Sequence, residues 1–258
     1  MVQKKFPNEI DPQIKSLFKQ YYGPNEIYSS LLNQVLSLEG IGPKLQEMKN
    51  FEKDRMDDAI SELRFASLFY ICGFQVSFVQ EAENGKRPDL KIIKNSKIGF
   101  VEVKHKRSNV RSSDEKSDDG DLKEEQDFKK SEESIQQNVD DALSQLYEYS
   151  QNNKCDFFVI AIWSSNDEFW DLDVEFSVPS IKSGKTTNLN RYTTDILLIF
   201  GSNICDRNNR YFRPIPLLNH RSNVINQELI QAIEEKSRDK IFGIKRLSFL
   251  ELLKLKNI

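Results

Sequence analysis

The chain has 258 residues, of which 38% are hydrophobic and 30% charged, and its net charge is −3 at pH 7. This length is enough for one substantial hydrophobic core, and no run of about eighteen apolar residues exists to form a transmembrane helix. The first residues lack the apolar stretch of a secretion signal. The three cysteines are odd in number and widely spaced, so we expect reduced thiols in a cytoplasmic protein rather than disulfides or a zinc site.

The net charge conceals an uneven distribution along the chain. Residues 108–133 carry ten acidic and five basic side chains, a net of −5, whereas residues 204–258 carry eleven basic and six acidic side chains, a net of +5. The overall charge therefore neither supports nor excludes contact with a polyanion such as nucleic acid.

Residues 1–50 are predicted to form a helical N-terminal extension, because apolar residues recur there at spacings of three and four. The string Gly40-Ile41-Gly42-Pro43-Lys44 interrupts this pattern, since glycine permits a tight turn and proline can open the next helix. It resembles the hairpin of helix-hairpin-helix DNA-binding motifs, whose backbone amides hold a phosphate. An ordinary turn between two helices has the same composition, and we favour that interpretation.

Residues 51–258 are predicted to form one α/β domain, with a mixed sheet flanked by helices. The core order is helix, strand, strand, strand, helix, strand. These elements are expected at about 54–72, 74–79, the two arms of a hairpin within 89–104, 134–151 and 157–163. The last of them is an unbroken apolar run, which is typical of a central strand covered on both faces.

Three further segments are predicted outside this core. A strand is expected at 195–200, and helices are expected at 226–236 and 248–255. Residues 108–130 contain almost no apolar side chains and are predicted to form a flexible acidic insertion, because they cannot bury enough surface to become ordered.

The hairpin within the core brings polar side chains together. With a two-residue turn at Asn95-Ser96, residues whose numbers sum to 191 face each other, so Asp89 lies opposite Glu102. Their Cβ atoms would be about 5 Å apart. Lys104 projects from the same face as Glu102, whereas Val101 and Val103 project from the other face toward the core. Two carboxylates and one ammonium on one spot predict a divalent-cation site with a cationic helper.

The hairpin and the element order resemble the PD-(D/E)XK nuclease superfamily. Its motif is matched by five residues: Pro88, Asp89, Glu102, Val103 and Lys104. The resemblance covers residues 54–163 and implies a restriction endonuclease-like αβββαβ core. It also implies that the carbonyl of Val103 adds a third oxygen to the metal ligands.

Two helices carry further matches to this superfamily. Many members place a glutamate in the helix before the motif, and Glu62 stands at that position. The exonuclease-like branch carries Gln-x-x-x-Tyr in the helix after the motif, and Gln145 and Tyr149 match it on one helix face. The resemblance implies that Glu62 binds a second cation or holds a water, and that Gln145 and Tyr149 position the phosphate or strand. An interhelix contact is the alternative for Gln145 and Tyr149.

The requirements of phosphodiester hydrolysis explain why residues of these types would form the site. A hard cation such as Mg²⁺, with Mn²⁺ as a substitute, prefers oxygen ligands and can serve the attacking water, the phosphate and the leaving alkoxide. Asp89 and Glu102 would anchor it. Lys104 would hydrogen-bond the attacking water and offset negative charge in the transition state. We favour this orienting and electrostatic role over proton abstraction.

Other residues are weaker candidates. Arg210 and Arg213 belong to an aromatic-basic stretch that could contact phosphates and stack bases, although a solvated loop with a half-buried ring is the preferred alternative. His105 is adjacent to Lys104 but is expected on the other face of the strand, outside the site.

The sequence therefore predicts a metal-dependent nuclease that acts on DNA. A non-catalytic nucleic-acid-binding protein of the same fold and a protein-interaction scaffold are the alternatives. RNA stays open as a substrate, as do endonuclease or exonuclease action and a role in restriction, defence or repair. A homodimer would allow double-strand cleavage, but no residue pattern demonstrates one.

Overall fold

One mixed β-sheet with helices on both faces forms the framework of the chain. The computed structural model describes residues 11–14, 16, 26–49, 53–80, 87–106, 120–164, 170–183, 189, 192–202, 209–217, 227–239 and 242. No helix among these residues is long and apolar enough to cross a membrane.

The elements follow one another in an order that includes the predicted core. The helices are α1 (Glu26–Val35), α2 (Ile41–Lys49), α3 (Lys53–Ile71), α4 (Gly120–Ser150), α5 (Trp170–Lys182) and α6 (Gln227–Lys236). The strands are β1 (Gln75–Phe78), β2 (Leu90–Lys94), β3 (Lys97–Lys106), β4 (Phe157–Ser164), β5 (Asp195–Ser202) and β6 (Phe212–Pro216). From α3 to β4 the order is helix, strand, strand, strand, helix, strand, as predicted.

The six strands lie side by side in chain order. Strands β1, β2 and β3 are antiparallel neighbours, β3, β4 and β5 are parallel, and β6 is antiparallel to β5. Helix α4 connects β3 to β4 and helix α5 connects β4 to β5, since parallel neighbours need a crossover connection. Every residue of β4 and β5 is buried, which confirms the prediction of a central strand at 157–163.

The predicted hairpin is confirmed. Asn95 and Ser96 have φ values of 52° and 62°. Two consecutive positive values are the mark of a type I′ turn, which matches the twist of the flanking strands. The register runs from Lys94 opposite Lys97 to Leu90 opposite Val101, the pairing that the turn position predicted.

The sheet separates two apolar layers. On one face, helices α1, α3 and α6 pack over side chains that include Leu90, Val101 and Trp163. On the other face, helices α4 and α5 pack over Phe100, Ile160 and their neighbours. Burying each large apolar side chain contributes about 1.5–3 kcal/mol, so the two layers together fix the position of β3 between α3 and α4.

Several predicted boundaries need correction. The helix expected at 134–151 begins fourteen residues earlier, at Gly120, so residues 120–130 of the acidic insertion have helical backbone. This stretch is rich in Glu, Lys and Gln, which favour helix even where no apolar stripe signals one. Residues 107–119 and the helix expected at 248–255 lie outside the described part of the chain.

Candidate functional site

The predicted site lies where β2 begins and β3 continues beyond it. Strand β2 starts at Leu90, opposite Val101, whereas β3 runs on to Lys106. Residues 102–106 of β3 therefore pair with β4 along one edge. Their other edge faces the segment 87–89, which precedes β2. Because β3 lies between helices α3 and α4, side chains from both helix layers can reach this place.

Asp89 holds its position through three hydrogen bonds. Its N–H donates to the carbonyl of Val101 (3.0 Å), and its own carbonyl accepts from the N–H of Val79 (3.0 Å). Its carboxylate oxygen Oδ2 accepts from the N–H of Val103 at 2.7 Å. Strand β3 continues beyond Leu90, the first residue of β2, and the side chain of Asp89 there replaces the main-chain partner that a longer β2 would supply.

This pairing corrects the expected register at one position. Asp89 was predicted to face Glu102 directly, but its backbone bonds to Val101, which already faces Leu90. Two consecutive residues opposite one residue is the arrangement of a β-bulge. Pro88 precedes the bulge and has no N–H to donate, so the regular ladder cannot continue.

Glu102 is buried in β3, and both of its carboxylate oxygens accept hydrogen bonds. The ammonium of Lys104 donates to Oε1 at 2.8 Å, and Nε2 of Gln145 donates to Oε2 at 2.6 Å. Lys104 lies two residues along the same strand, so the contact confirms that the two side chains share a face. Such charge-assisted bonds are stronger than neutral ones and fix the orientation of the carboxylate.

The negative charges of Asp89 and Glu102 repel each other. Burial, the largest cause, and the negative charge of Asp89 raise the pKa of Glu102 to about 8, against the opposing effect of Lys104. Burial also raises the pKa of Asp89, although the N–H of Val103 and the charge of Lys44 oppose this shift. A divalent cation would relieve both effects, because it would supply positive charge where two carboxylates are desolvated.

Gln145 connects helix α4 to the segment before β2. Besides its bond to Glu102, its Nε2 donates to the backbone carbonyl of Arg87 at 2.5 Å. The structure therefore brings Gln145 into the site as predicted. Tyr149 lies one turn further along α4, and its ring packs edge-on against Phe100 with centroids 4.9 Å apart. Its contact is with the apolar layer between α4 and the sheet, so this contact is neither with the two carboxylates nor with another helix.

Glu62 lies on α3 and is paired with Lys44, a residue outside the predicted site. The ammonium of Lys44 contacts both carboxylate oxygens of Glu62, at 2.9 and 2.8 Å. Lys44 belongs to the string that was interpreted as a turn between helices. The only sequence signal for its role was that string, which gave no indication that α2 packs beside β1 and α3.

The remaining candidates lie apart from this group. Arg210 forms an ion pair with Glu234 of α6 at 2.5 Å. Arg213 lies in β6, which is three strands from β3, or about 14 Å across the sheet. His105 contacts Asp58 of α3 at 3.1 Å, on the face expected for it.

The oxygen atoms at this place fit a hard divalent cation. Within the described ranges, no three His, Cys, Asp or Glu side chains form a metal-binding group. Mg²⁺ is nevertheless usually held by one or two carboxylates with several waters. The N–H of Val103 points to Asp89, and the carbonyl of an extended residue points to the same side as its N–H, so this carbonyl is directed toward the side of β3 on which Asp89 lies.

Comparisons of the chain with models of protein families, with curated proteins and with solved structures found no match. Any assignment of function therefore rests on the side chains that gather at the beginning of β2.

Proposed function

We propose that the chain is a metal-dependent nuclease of the PD-(D/E)XK type, with a restriction endonuclease-like core, that hydrolyses phosphodiester bonds in DNA. One observation carries the proposal. Two desolvated carboxylates, Asp89 and Glu102, adjoin each other where a β-ladder ends, and a lysine ammonium contacts one of them at 2.8 Å. This set supplies the ligands and the positive charge that phosphodiester hydrolysis requires.

The metal ligands would be Asp89, Glu102 and the carbonyl of Val103. A Mg²⁺ or Mn²⁺ ion, when bound, would polarise the phosphate and make a water molecule a better nucleophile. The donor set is all oxygen, which suits these hard cations and disfavours zinc. Asp89 keeps its geometry through the bond to Val103, so the carboxylate is positioned before any ion arrives.

Lys104 would act directly on the phosphate. It is held beside Glu102 and remains partly exposed, with 24% of its side chain accessible. A fixed ammonium at the rim of the site can hydrogen-bond the attacking water and stabilise charge that develops in the transition state. Gln145 would act as a positioning residue, because it orients Glu102 and binds the backbone of Arg87.

A cleavage assay tests the proposal. The purified chain is incubated with single- and double-stranded DNA and RNA, in Mg²⁺, in Mn²⁺ and in chelator. We expect cleavage only with metal, loss of cleavage in Asp89→Ala, and a decrease of about 10²-fold or more in Lys104→Met. Glu148→Gln is the matched control, since Glu148 is exposed on the same helix as Gln145.

The outcomes separate the alternatives. Cleavage that persists in chelator, or in a folded Asp89→Ala protein, contradicts the proposal. Salt-sensitive binding without product, unchanged in Lys104→Met, would identify a non-catalytic nucleic-acid-binding protein. Absence of any binding at low salt would favour a protein-interaction scaffold.

A further inference from the structure

Lys44 is a second cationic side chain that reaches the neighbourhood of the site from outside the hairpin. Its ammonium contacts both oxygens of Glu62, and the two side chains are only 17% and 11% exposed. Ion pairs with this little access to water are screened less than surface pairs. The contact therefore places the ammonium against both oxygens of Glu62, with its hydrogen bond made to Oε1.

The same ammonium acts on the proposed metal ligands. The positive charge of Lys44 lowers the pKa of Asp89, against the larger effect of burial. Lys44 thus lies within electrostatic reach of Asp89 while it is bonded to Glu62.

The backbone before α2 fixes this placement. The carbonyl of Glu39 accepts a hydrogen bond from the N–H of Phe78 in β1 at 2.8 Å. Gly40 has a φ of +77°, and a Cβ atom there would lie 2.4 Å from the carbonyl oxygen of Phe78. Only glycine allows this close approach, so helix α2 and its first-turn residue Lys44 are anchored beside β1.

We propose that the ammonium of Lys44 takes the place of a second divalent cation beside Glu62, so that the site holds one metal ion. The inference rests on the proposed nuclease function and specifies its metal content. A second ion would need the oxygens of Glu62 that Lys44 contacts, and two cations cannot share them without strong repulsion. A lysine supplies a permanent point charge there without any ligand requirement of its own.

The experiment is a count of bound Mn²⁺ by electron paramagnetic resonance titration of the full chain. We expect one ion in the unsubstituted protein and two in Lys44→Met, because the methionine frees Glu62 to bind metal. Lys44→Arg keeps the charge and should keep one ion. Lys97→Met is the matched control, since Lys97 is an exposed lysine of the hairpin that pairs with Asp156, and it should also keep one ion. Circular dichroism verifies folding of each variant.

Glu62→Gln provides a second test of the ion count that does not depend on whether Lys44→Met folds. It should bind one ion, because the inferred single ion does not depend on Glu62. Two ions in the unsubstituted protein, one ion in folded Lys44→Met, or loss of an ion in Glu62→Gln would each overturn the inference. All three of these results leave the nuclease proposal intact. Absence of any bound Mn²⁺ in the unsubstituted protein would instead contradict the proposed function itself, and the inference with it.

Discussion

Glu102 lies in surroundings that are unfavourable for its own charge. It is buried, it lies near a second carboxylate, and its pKa is raised to about 8. Lys104 and Gln145 reduce this penalty but do not remove it. Residues with strongly shifted pKa values that also gather with a specific charge partner are more common in functional sites than elsewhere.

A pH dependence of stability follows from this shift. A carboxyl group with a raised pKa binds its proton more tightly in the folded than in the unfolded chain. The metal-free protein should therefore lose stability as the pH rises from the ordinary glutamate value of 4.5 toward about 8. The burial of Asp89 acts in the same direction.

Thermal unfolding in chelator between pH 5 and pH 8 measures this effect. Glu102→Gln should flatten the decrease in Tm over that range, because the amide does not titrate. Glu148→Gln, an exposed substitution, should leave the slope unchanged. Equal slopes in all three proteins would show that Glu102 titrates normally in the folded state.

At the scale of elements, the hairpin is the part that the sequence determines most directly. Its turn uses Asn95 and Ser96 at positive φ. Asn tolerates this conformation, whereas Ser pays a cost because its Cβ crowds the backbone. Glycine is the residue that type I′ turns favour at the second position.

Ser96→Gly should therefore increase the free energy of unfolding by about 0.5 kcal/mol. This figure is the strain relieved in the folded state minus the cost of the greater conformational entropy that glycine gives the unfolded chain. Ser96→Val should destabilise it by about 1 kcal/mol or more, because a β-branched residue is strongly disfavoured at positive φ. Urea denaturation measures both free energies of unfolding. The reverse order of the two variants would contradict the turn assignment.

Local patterns explain which elements were predictable. The hairpin, helix α3 and strand β4 have clear periodicities or turn residues, and all were predicted. Strand β6 was not, because Pro214 and Pro216 weaken any strand pattern and are tolerated only at a sheet edge. Helix α5 was missed for a similar reason, since it contains Pro179.

The site likewise contains contacts that local sequence patterns cannot predict, because they join residues that are distant in the sequence. The alternation of β3 was sufficient to place Glu102 and Lys104 on one face, whereas Gln145 was selected only through its match to the Gln-x-x-x-Tyr pattern. The bulge at Asp89 and the contact between Lys44 and Glu62 depend on tertiary packing. Nothing in the spacing of Lys44 could show that α2 would lie beside β1.

At the scale of the whole molecule, one aromatic cluster holds the far side of the sheet. The ring of Phe212 lies edge-on to Phe65, Trp163 and Phe242, with centroid distances of 5.1, 5.5 and 4.7 Å. The cluster joins α3, β4 and β6, so it supports the layer that carries Glu62. Phe212 itself lies three strands from β3, and the aromatic rings of the cluster offer no oxygen ligands to the candidate site.

Phe212→Ala should reduce the free energy of unfolding by about 3–5 kcal/mol, because it leaves a cavity in a fully buried cluster. It should leave Mn²⁺ affinity unchanged at temperatures where the protein stays folded. Tyr70→Ala removes an aromatic ring that is 45% exposed and should cost less than about 1 kcal/mol. Guanidinium denaturation and Mn²⁺ titration of both variants test this separation of scaffold and site.

The carboxylate of Asp89 divides its two oxygens between different tasks. Oδ2 completes the backbone of β3 through the N–H of Val103, and Oδ1 would be the oxygen that binds a metal ion at the proposed site. An asparagine could keep the first task, since its amide oxygen also accepts from an N–H, but it would lack the negative charge for the second. If the proposed function is correct, Asp89→Asn should fold normally and bind intact nucleic acid without cutting it, so that the complex becomes accessible to crystallography.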